Sequence, residues 1–343
     1  MCIRILIADD SLLVREVLSE IFENCPDTTV VGRACNGQEA VELTLALKPD
    51  LIILDLIMPV LDGLQAIEEI MAIAPTPVLV LSAAVDEREV DRAFAAIKRG
   101  ALDVMEKPEL NDAGSLQEFA LTLLEKAKLL SGIRVIRHPR RKTKPLFEER
   151  VETSGSTPNI LAIGASTGGP KAVMSVLRSL PPNFPAAVFV VQHIAHGFAA
   201  GFASWLDREC SIKVRLGVDG ARYLPGEAVV APDGCHMTIC DGRIRLTDQA
   251  PVNCCRPSID VFFSSLAQHP CEQVVSLLLS GMGKDGAQGL LQIKERGGTT
   301  LVQDEGSCAV FGMPKAAINL CAVDQVLPLE RMPDTISQLF PIP

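Results

Sequence analysis

A chain of 343 residues, 48% hydrophobic, is too long for one ordinary core and has apolar material enough for two. Its formal charge of −10 argues against a nucleic-acid partner, whose phosphates demand a basic face, and no apolar run approaches the ~20 residues of a membrane span. Eleven scattered cysteines without a Cys-x-x-Cys pair exclude a zinc knuckle, and the N-terminus enters a strand pattern without a signal-peptide layout; reduced thiols in a cytoplasmic protein follow.

The first predicted strand, Ile3 to Ala8, has the continuous apolar character of a parallel strand covered on both faces, and it ends in Asp9-Asp10. Similar runs over 51–54, 78–81 and 101–106 end in Asp55, Ser82 and Lys107-Pro108, with helix-patterned stretches at 12–22, 37–47 and 87–99 between them. Alternation of this kind predicts a doubly wound parallel sheet whose ligand crevice lies at the carboxyl ends of the strands. Three carboxylates converging there repel one another unless a divalent cation joins them, and Mg²⁺ prefers such oxygens. Asp55 is the candidate nucleophile toward a phosphoryl group, with the Lys107 ammonium offsetting charge. The bland alternative for Asp9-Asp10 is a helix N-cap.

Between the two cores the chain turns basic, with Arg134, Arg137, His138, Arg140, Arg141, Lys142 and Lys144 interrupted by Pro139 and Pro145. Polar residues continue to Pro158, so 131–158 reads as an exposed linker. From Asn159 onward 14 Lys and Arg stand against 16 Asp and Glu, without a basic recognition helix.

Further buried strands are predicted over 159–164, 186–193 and 273–281. The first runs into the loop "GASTGGP" around Ser166. A dinucleotide fingerprint requires glycine where Ser166 stands, and the next strand ends in Gln192-His193 rather than in an acid. The third strand leads into "GMGKDG", which carries Asp285. Hydroxyl, base and acid thus all emerge from strand carboxyl ends, the set that nucleophilic catalysis requires. Gly164-Ala165-Ser166-Thr167-Gly168 also satisfies G-x-S-x-G, but the chain order Ser166, His193, Asp285 differs from the Ser, Asp, His order of α/β-hydrolases.

Residues 1–130 resemble the receiver domain of two-component response regulators, on Asp9-Asp10, Asp55 with Met58-Pro59 and Asp62-Gly63, Ser82, and Lys107-Pro108. The resemblance implies a flavodoxin-like fold, phosphorylation of Asp55 by a histidine kinase, Mg²⁺ held by Asp9, Asp10, Asp55 and the Ile57 carbonyl, and Ser82 and Lys107 as switch residues. Val104 stands where receivers often carry an aromatic switch residue. Residues 159–343 resemble the catalytic domain of chemotaxis protein-glutamate methylesterases, on "IGASTGGP", "QHIAHGF", "APDGCHM", "RPSIDVFF", "LSGMGKDGA" and "VFGMPKAAI". That implies a Rossmann-like three-layer esterase domain with Ser166 as nucleophile, His193 as base, Asp285 as its orienter and the Met282 amide in the oxyanion hole. Thr167 and His236 fall on family motifs without an assigned role. The substrates implied are glutamate γ-methyl esters on methyl-accepting chemoreceptors, with glutamine deamidation as a side activity and no insertion into the membrane. The rival class is a phosphorylation-switched binding module, which would need none of Ser166, His193 and Asp285.

Overall fold

The computed structural model describes residues 2–82, 87–108, 113–133, 135, 159–268 and 274–341. The chain divides into two compact units, Met1–Pro145 and Leu146–Pro343. The basic stretch from Arg134 to Lys144 and nearly all of the expected linker lie outside the described residues.

The first unit runs β1 (Ile3–Ala8), α1 (Leu12–Glu23), β2 (Thr28–Ala34), α2 (Gly37–Leu47), β3 (Leu51–Asp55), α3 (Gly63–Ile73), β4 (Val78–Ser82), α4 (Glu87–Arg99), β5 (Asp103–Glu106) and α5 (Ala113–Leu130). Its strands pair in parallel in the order β2-β1-β3-β4-β5. The order reverses between β1 and β3, so the crevice opens where Asp9, Asp10 and Asp55 leave the sheet. Every residue of β3 and β4 is buried, as their unbroken apolar runs require. The helix starts are set by side-chain caps: Ser11 for α1, Asn36 for α2, and an Asp62/Gln65 capping box for α3. The sequence reading missed β2, whose "TTVVGRA" lacks the continuous apolar run of its neighbours.

The second unit runs β6 (Ile160–Ala165), α6 (Gly169–Arg178), β7 (Ala187–Gln192), α7 (Ala199–Glu209), β8 (Lys213–Leu216), β9 (Glu227–Val230), β10 (His236–Cys240), β11 (Arg243–Thr247), α8 (Ile259–Ala267), β12 (Val274–Leu278), α9 (Ala287–Glu295), β13 (Thr299–Gln303), α10 (Met313–Asn319), β14 (Gln325–Leu327) and α11 (Met332–Leu339). Seven strands form one parallel sheet in the order β14-β13-β12-β6-β7-β9-β8. The chain builds one half outward from β6, then returns to lay β12 on its other side. The reversal between β6 and β12 is therefore the predicted crevice, and both Ser166 and the Asp285 loop leave the sheet there. The antiparallel pair β10–β11 lies outside this sheet and turns through Asp241-Gly242, both at positive φ, as two-residue hairpin turns demand.

The apolar core of this unit gathers Phe189 and Val229 from the sheet, Phe262 and Phe263 from α8, and Leu290 from α9. The Phe262 ring is fully buried, its centroid 5.4 Å from that of Phe189 and 6.3 Å from that of Phe263. Truncating it leaves a cavity between helix and sheet. Phe262→Ala is expected to cost about 3–5 kcal/mol. Trp205, the single tryptophan, is buried in the same unit, so its fluorescence in a denaturant titration reads the loss from that unit alone.

Candidate active site

The turn after β6 is held from several sides. Ser166 donates its backbone N–H to the Ser280 carbonyl at 3.0 Å, joining the ends of β6 and β12. The Ser280 hydroxyl donates to the Thr167 carbonyl at 2.8 Å and accepts from the Val310 N–H at 2.9 Å. Thr167 is thereby a buried part of the turn's anchorage. Gly281 approaches so closely that a Cβ there would lie 2.7 Å from Ser166 Cβ. Gly168, at φ +76°, lets the chain turn directly into α6 without a side-chain cap. Ser166 itself is half-buried at this edge.

His193 follows β7, next to β6 in the sheet, and its N–H donates to the Ala165 carbonyl at 2.9 Å. Gln192 braces the two strand ends: its Nε2 donates to the Ser166 carbonyl at 2.8 Å and to the His193 carbonyl at 2.9 Å. The imidazole Nε2 lies 2.9 Å from Asp285 Oδ2. Because that nitrogen faces the carboxylate, Nδ1, which lies 3.6 Å from Cys255 Sγ, is the one turned away from Asp285 and able to take a reacting proton.

Asp285 is 2% exposed and surrounded by donors. Its Oδ1 accepts from the Ser258 hydroxyl at 2.7 Å, Asn253 Nδ2 at 2.9 Å and the Asp260 N–H at 3.2 Å. Its Oδ2 also accepts from the Ile259 N–H at 2.6 Å. The carboxylate thus sits on the open amides of the first turn of α8, where the helix dipole favours negative charge. Burial alone would raise its pKa; the His193 imidazole, then Asn253 and Ser258, outweigh that and bring it down to about 2. Asp260 goes the other way, pushed up chiefly by burial and also by the charge of Asp285.

His236 is fully buried and supports this arrangement from below. Its Nδ1 accepts from the Ser258 N–H at 3.1 Å, which assigns the ring proton to Nε2, 3.1 Å from the Ala250 carbonyl. It positions the cap of α8 rather than facing substrate. Met282, by contrast, follows Gly281 at the crevice rim with its side chain 43% exposed. Sequence reasoning missed Asn253 and Ser258. A signal existed for Ser258, an N-cap type before the apolar run of α8; for Asn253 there was none.

In the first unit, Lys107 Nζ lies 2.8 Å from Asp9 Oδ2 and 2.9 Å from Asp55 Oδ2. The Asp9 contact is a charge contact without hydrogen-bond geometry, so this buried oxygen retains an unused acceptor. Donor atoms of Asp9, Asp10 and Asp55 all fall within 4.8 Å of one another, a set that fits a hard divalent cation. Burial is the largest influence on Asp55 and pushes its carboxyl up, although Lys107 opposes it. Burial would lower the Lys107 ammonium, but the negative charges of Asp9 and Asp55 beside it prevail and raise it. Ser82 is buried at the end of β4, where its carbonyl accepts the Lys107 N–H at 3.0 Å. It lines a cavity of about 180 Å³ together with Asp10, Asp55, Ile57 and Lys107, and with Arg92 of α4, which the sequence reading did not single out.

The depressed Asp285 carboxyl has a pH signature. Its folded value lies below the ordinary 3.8, so its contribution to stability is complete above about pH 4 and is lost as pH falls through about 2. Over that interval the wild type is expected to lose about 2 kcal/mol more than Asp285→Asn, read by denaturant titrations at each pH.

Two family profiles match the chain: the CheB methylesterase over residues 161–336 and the response regulator receiver domain over residues 5–117. Over 98% of its length the chain is 43% identical to a protein-glutamate methylesterase/protein-glutamine glutaminase of Anaeromyxobacter dehalogenans, covering 97% of that protein. It is 41% identical to the one of the same name in Pseudomonas aeruginosa, over 98% of this chain and 97% of that one. The crystal structure of the Thermotoga maritima CheB methylesterase catalytic domain aligns over its whole length with 54% of this chain, at 34% identity and a TM-score of 0.50. The Ser166, His193 and Asp285 arrangement lies within the stretch so matched, and the chain belongs to the CheB methylesterase family, in the form that joins a response regulator receiver to the esterase.

Proposed function

We propose that Ser166, His193 and Asp285 hydrolyse the γ-methyl esters of glutamate side chains on methyl-accepting chemoreceptors. The observation that carries this reading is the 2.9 Å contact of His193 Nε2 with a carboxylate held ionised, beside a serine on the neighbouring strand end. Ser166 Oγ attacks the ester carbonyl as His193 Nδ1 takes its proton. The Met282 amide donates to the oxyanion, an interaction worth about 3 kcal/mol in the transition state. Collapse of the tetrahedral species breaks the C–O bond, and His193 returns the proton to the departing methoxide, releasing methanol. Water, deprotonated by His193, then frees the glutamate carboxylate and Ser166. A glutamine amide follows the same course with ammonia leaving, which accounts for a deamidase side activity.

The chain is read as a receiver over 1–130, a linker over 131–158 and the esterase over 159–343. In the receiver, Asp55 accepts a phosphoryl group from a histidine kinase. Asp9, Asp10, Asp55 and the Ile57 carbonyl would hold Mg²⁺, which offsets phosphoryl charge, while Ser82 and Lys107 bind the transferred group. The reading places the protein in the cytoplasm, with receptor tails and kinase as partners and no nucleic acid. No helix among the described residues is long and apolar enough to cross a membrane.

Ser166→Ala is expected to lower methanol release from methylated receptor membranes by orders of magnitude, about 10⁶-fold where a lone nucleophile is lost, with circular dichroism unchanged. Turnover retained in a pure sample would remove Ser166 from the mechanism. A small-molecule phosphodonor with Mg²⁺ is expected to change the methanol-release rate of the wild type and leave Asp55→Asn at its basal rate. Equal responses from both proteins would sever the receiver site from the esterase.

A further inference from the structure

Beside the base lies a thiol that the esterase chemistry does not use. Val252 and Cys255 exchange backbone hydrogen bonds at 3.1 and 2.9 Å, with Asn253 and Cys254 between them at φ 52° and 61°. This is a tight two-residue turn, and it is unusual in carrying cysteine in the left-handed region, where a side chain is disfavoured. One end of the turn sends Asn253 Nδ2 to both Asp260 and Asp285, at 2.8 and 2.9 Å. The other brings Cys255 Sγ to 3.6 Å from His193 Nδ1. The thiol also donates to the Asn253 carbonyl at 3.4 Å and is only half-buried.

We propose that His193 Nδ1 and Cys255 Sγ form a binding site for a thiophilic divalent cation of the zinc type, and that its occupation switches the esterase off. The proposal rests on the reading of His193 as the base. Zn–S and Zn–N bonds of about 2.3 and 2.0 Å at a tetrahedral angle put the two donors about 3.5 Å apart, close to the separation already present. The imidazole is also held as metal-binding histidines are. Asp285 holds Nε2, which fixes the ring and makes the opposite nitrogen a better donor.

Binding replaces the Cys255 thiol proton, which leaves to solvent, and forms a metal–thiolate bond and a bond to the Nδ1 lone pair. That lone pair is the one that must receive the Ser166 proton, so metal binding and catalysis compete for it. Selectivity follows from the same chemistry. Thiolate sulfur is a soft donor, so only a cation with strong affinity for it displaces the Cys255 proton. Mg²⁺ and Ca²⁺ prefer oxygen and leave the thiol protonated.

The test uses the full-length chain without a phosphodonor. Zn²⁺ is titrated against methanol release, with Mg²⁺ as the control ion, and bound zinc is counted in parallel by calorimetry. In the wild type, zinc is expected to inhibit, a chelator to restore the rate, and Mg²⁺ to leave it unchanged. Cys255→Ser, referred to its own metal-free rate, is expected to need about tenfold more zinc or above for half-inhibition, since even outer partners of a metal site are worth that much. Co²⁺ should give the wild type a thiolate charge-transfer band that Cys255→Ser lacks, a reading independent of turnover. Equal zinc binding and equal inhibition in wild type and Cys255→Ser would overturn the site. If the band and one bound zinc are lost in Cys255→Ser while zinc leaves the wild-type rate untouched, the metal site stands, the inhibitory claim falls, and His193 is not the base.

Discussion

A carboxylate taken out of water has to be given hydrogen bonds in place of its hydration, and Asp285 receives five of them inside the second unit. Two come from the open amides at the start of α8, two from the side chains of Ser258 and Asn253, and one from His193. The same charge therefore ends a helix, closes the turn at residues 252–255 and orients the imidazole. None of these can shift without loosening the others, because each donor would leave the carboxylate less satisfied. His236 belongs to the same construction one layer out, since its Nδ1 holds the Ser258 N–H. The anion is settled well below neutral pH, so the group opposite Nε2 stays charged throughout the esterase cycle proposed for it.

The receiver unit solves the opposite problem with similar parts. Asp55 is buried beside Asp9, and its chief charged support is one ammonium that Asp9 shares. Burial consequently wins, and the carboxyl is pushed up rather than down. An acid whose negative charge is incompletely supported suits a site that accepts a cation and a phosphoryl group together, whereas a fully supported acid suits a fixed orienting role. Both carboxylates leave their sheets beside a reversal of strand order, and what separates them is the number of fixed donors around each.

The central strands were legible because a strand covered on both faces must be predominantly apolar, and β3, β4, β6, β7 and β12 are buried throughout with at most one polar residue each. The abrupt polar ends of β1, β3, β4, β6 and β7 also marked Asp9, Asp55, Ser82, Ser166 and His193. The peripheral strands were not legible. β8 and β14 are short and partly exposed, so their apolar pattern is too weak to separate from a loop. The β10–β11 hairpin did carry a local signal in Asp241-Gly242 that went unread.

The sequence alone determined which residue types stand at the ends of buried strands, because burial on two faces dictates composition locally, and with it the doubly wound class and the candidate triad. Only the tertiary structure decided what surrounds those residues. Asn253, Ser258 and Cys255 reach Asp285 and His193 across separations of 27 to 62 residues, through a turn and a helix end whose placement depends on packing against the sheet. Hydrogen-bond supply and burial set the charge state of a carboxylate, and both belong to the assembled neighbourhood rather than to the residue. For that reason Asp55 and Asp285, alike in type and in position at a strand's edge, part company only once the chain is folded.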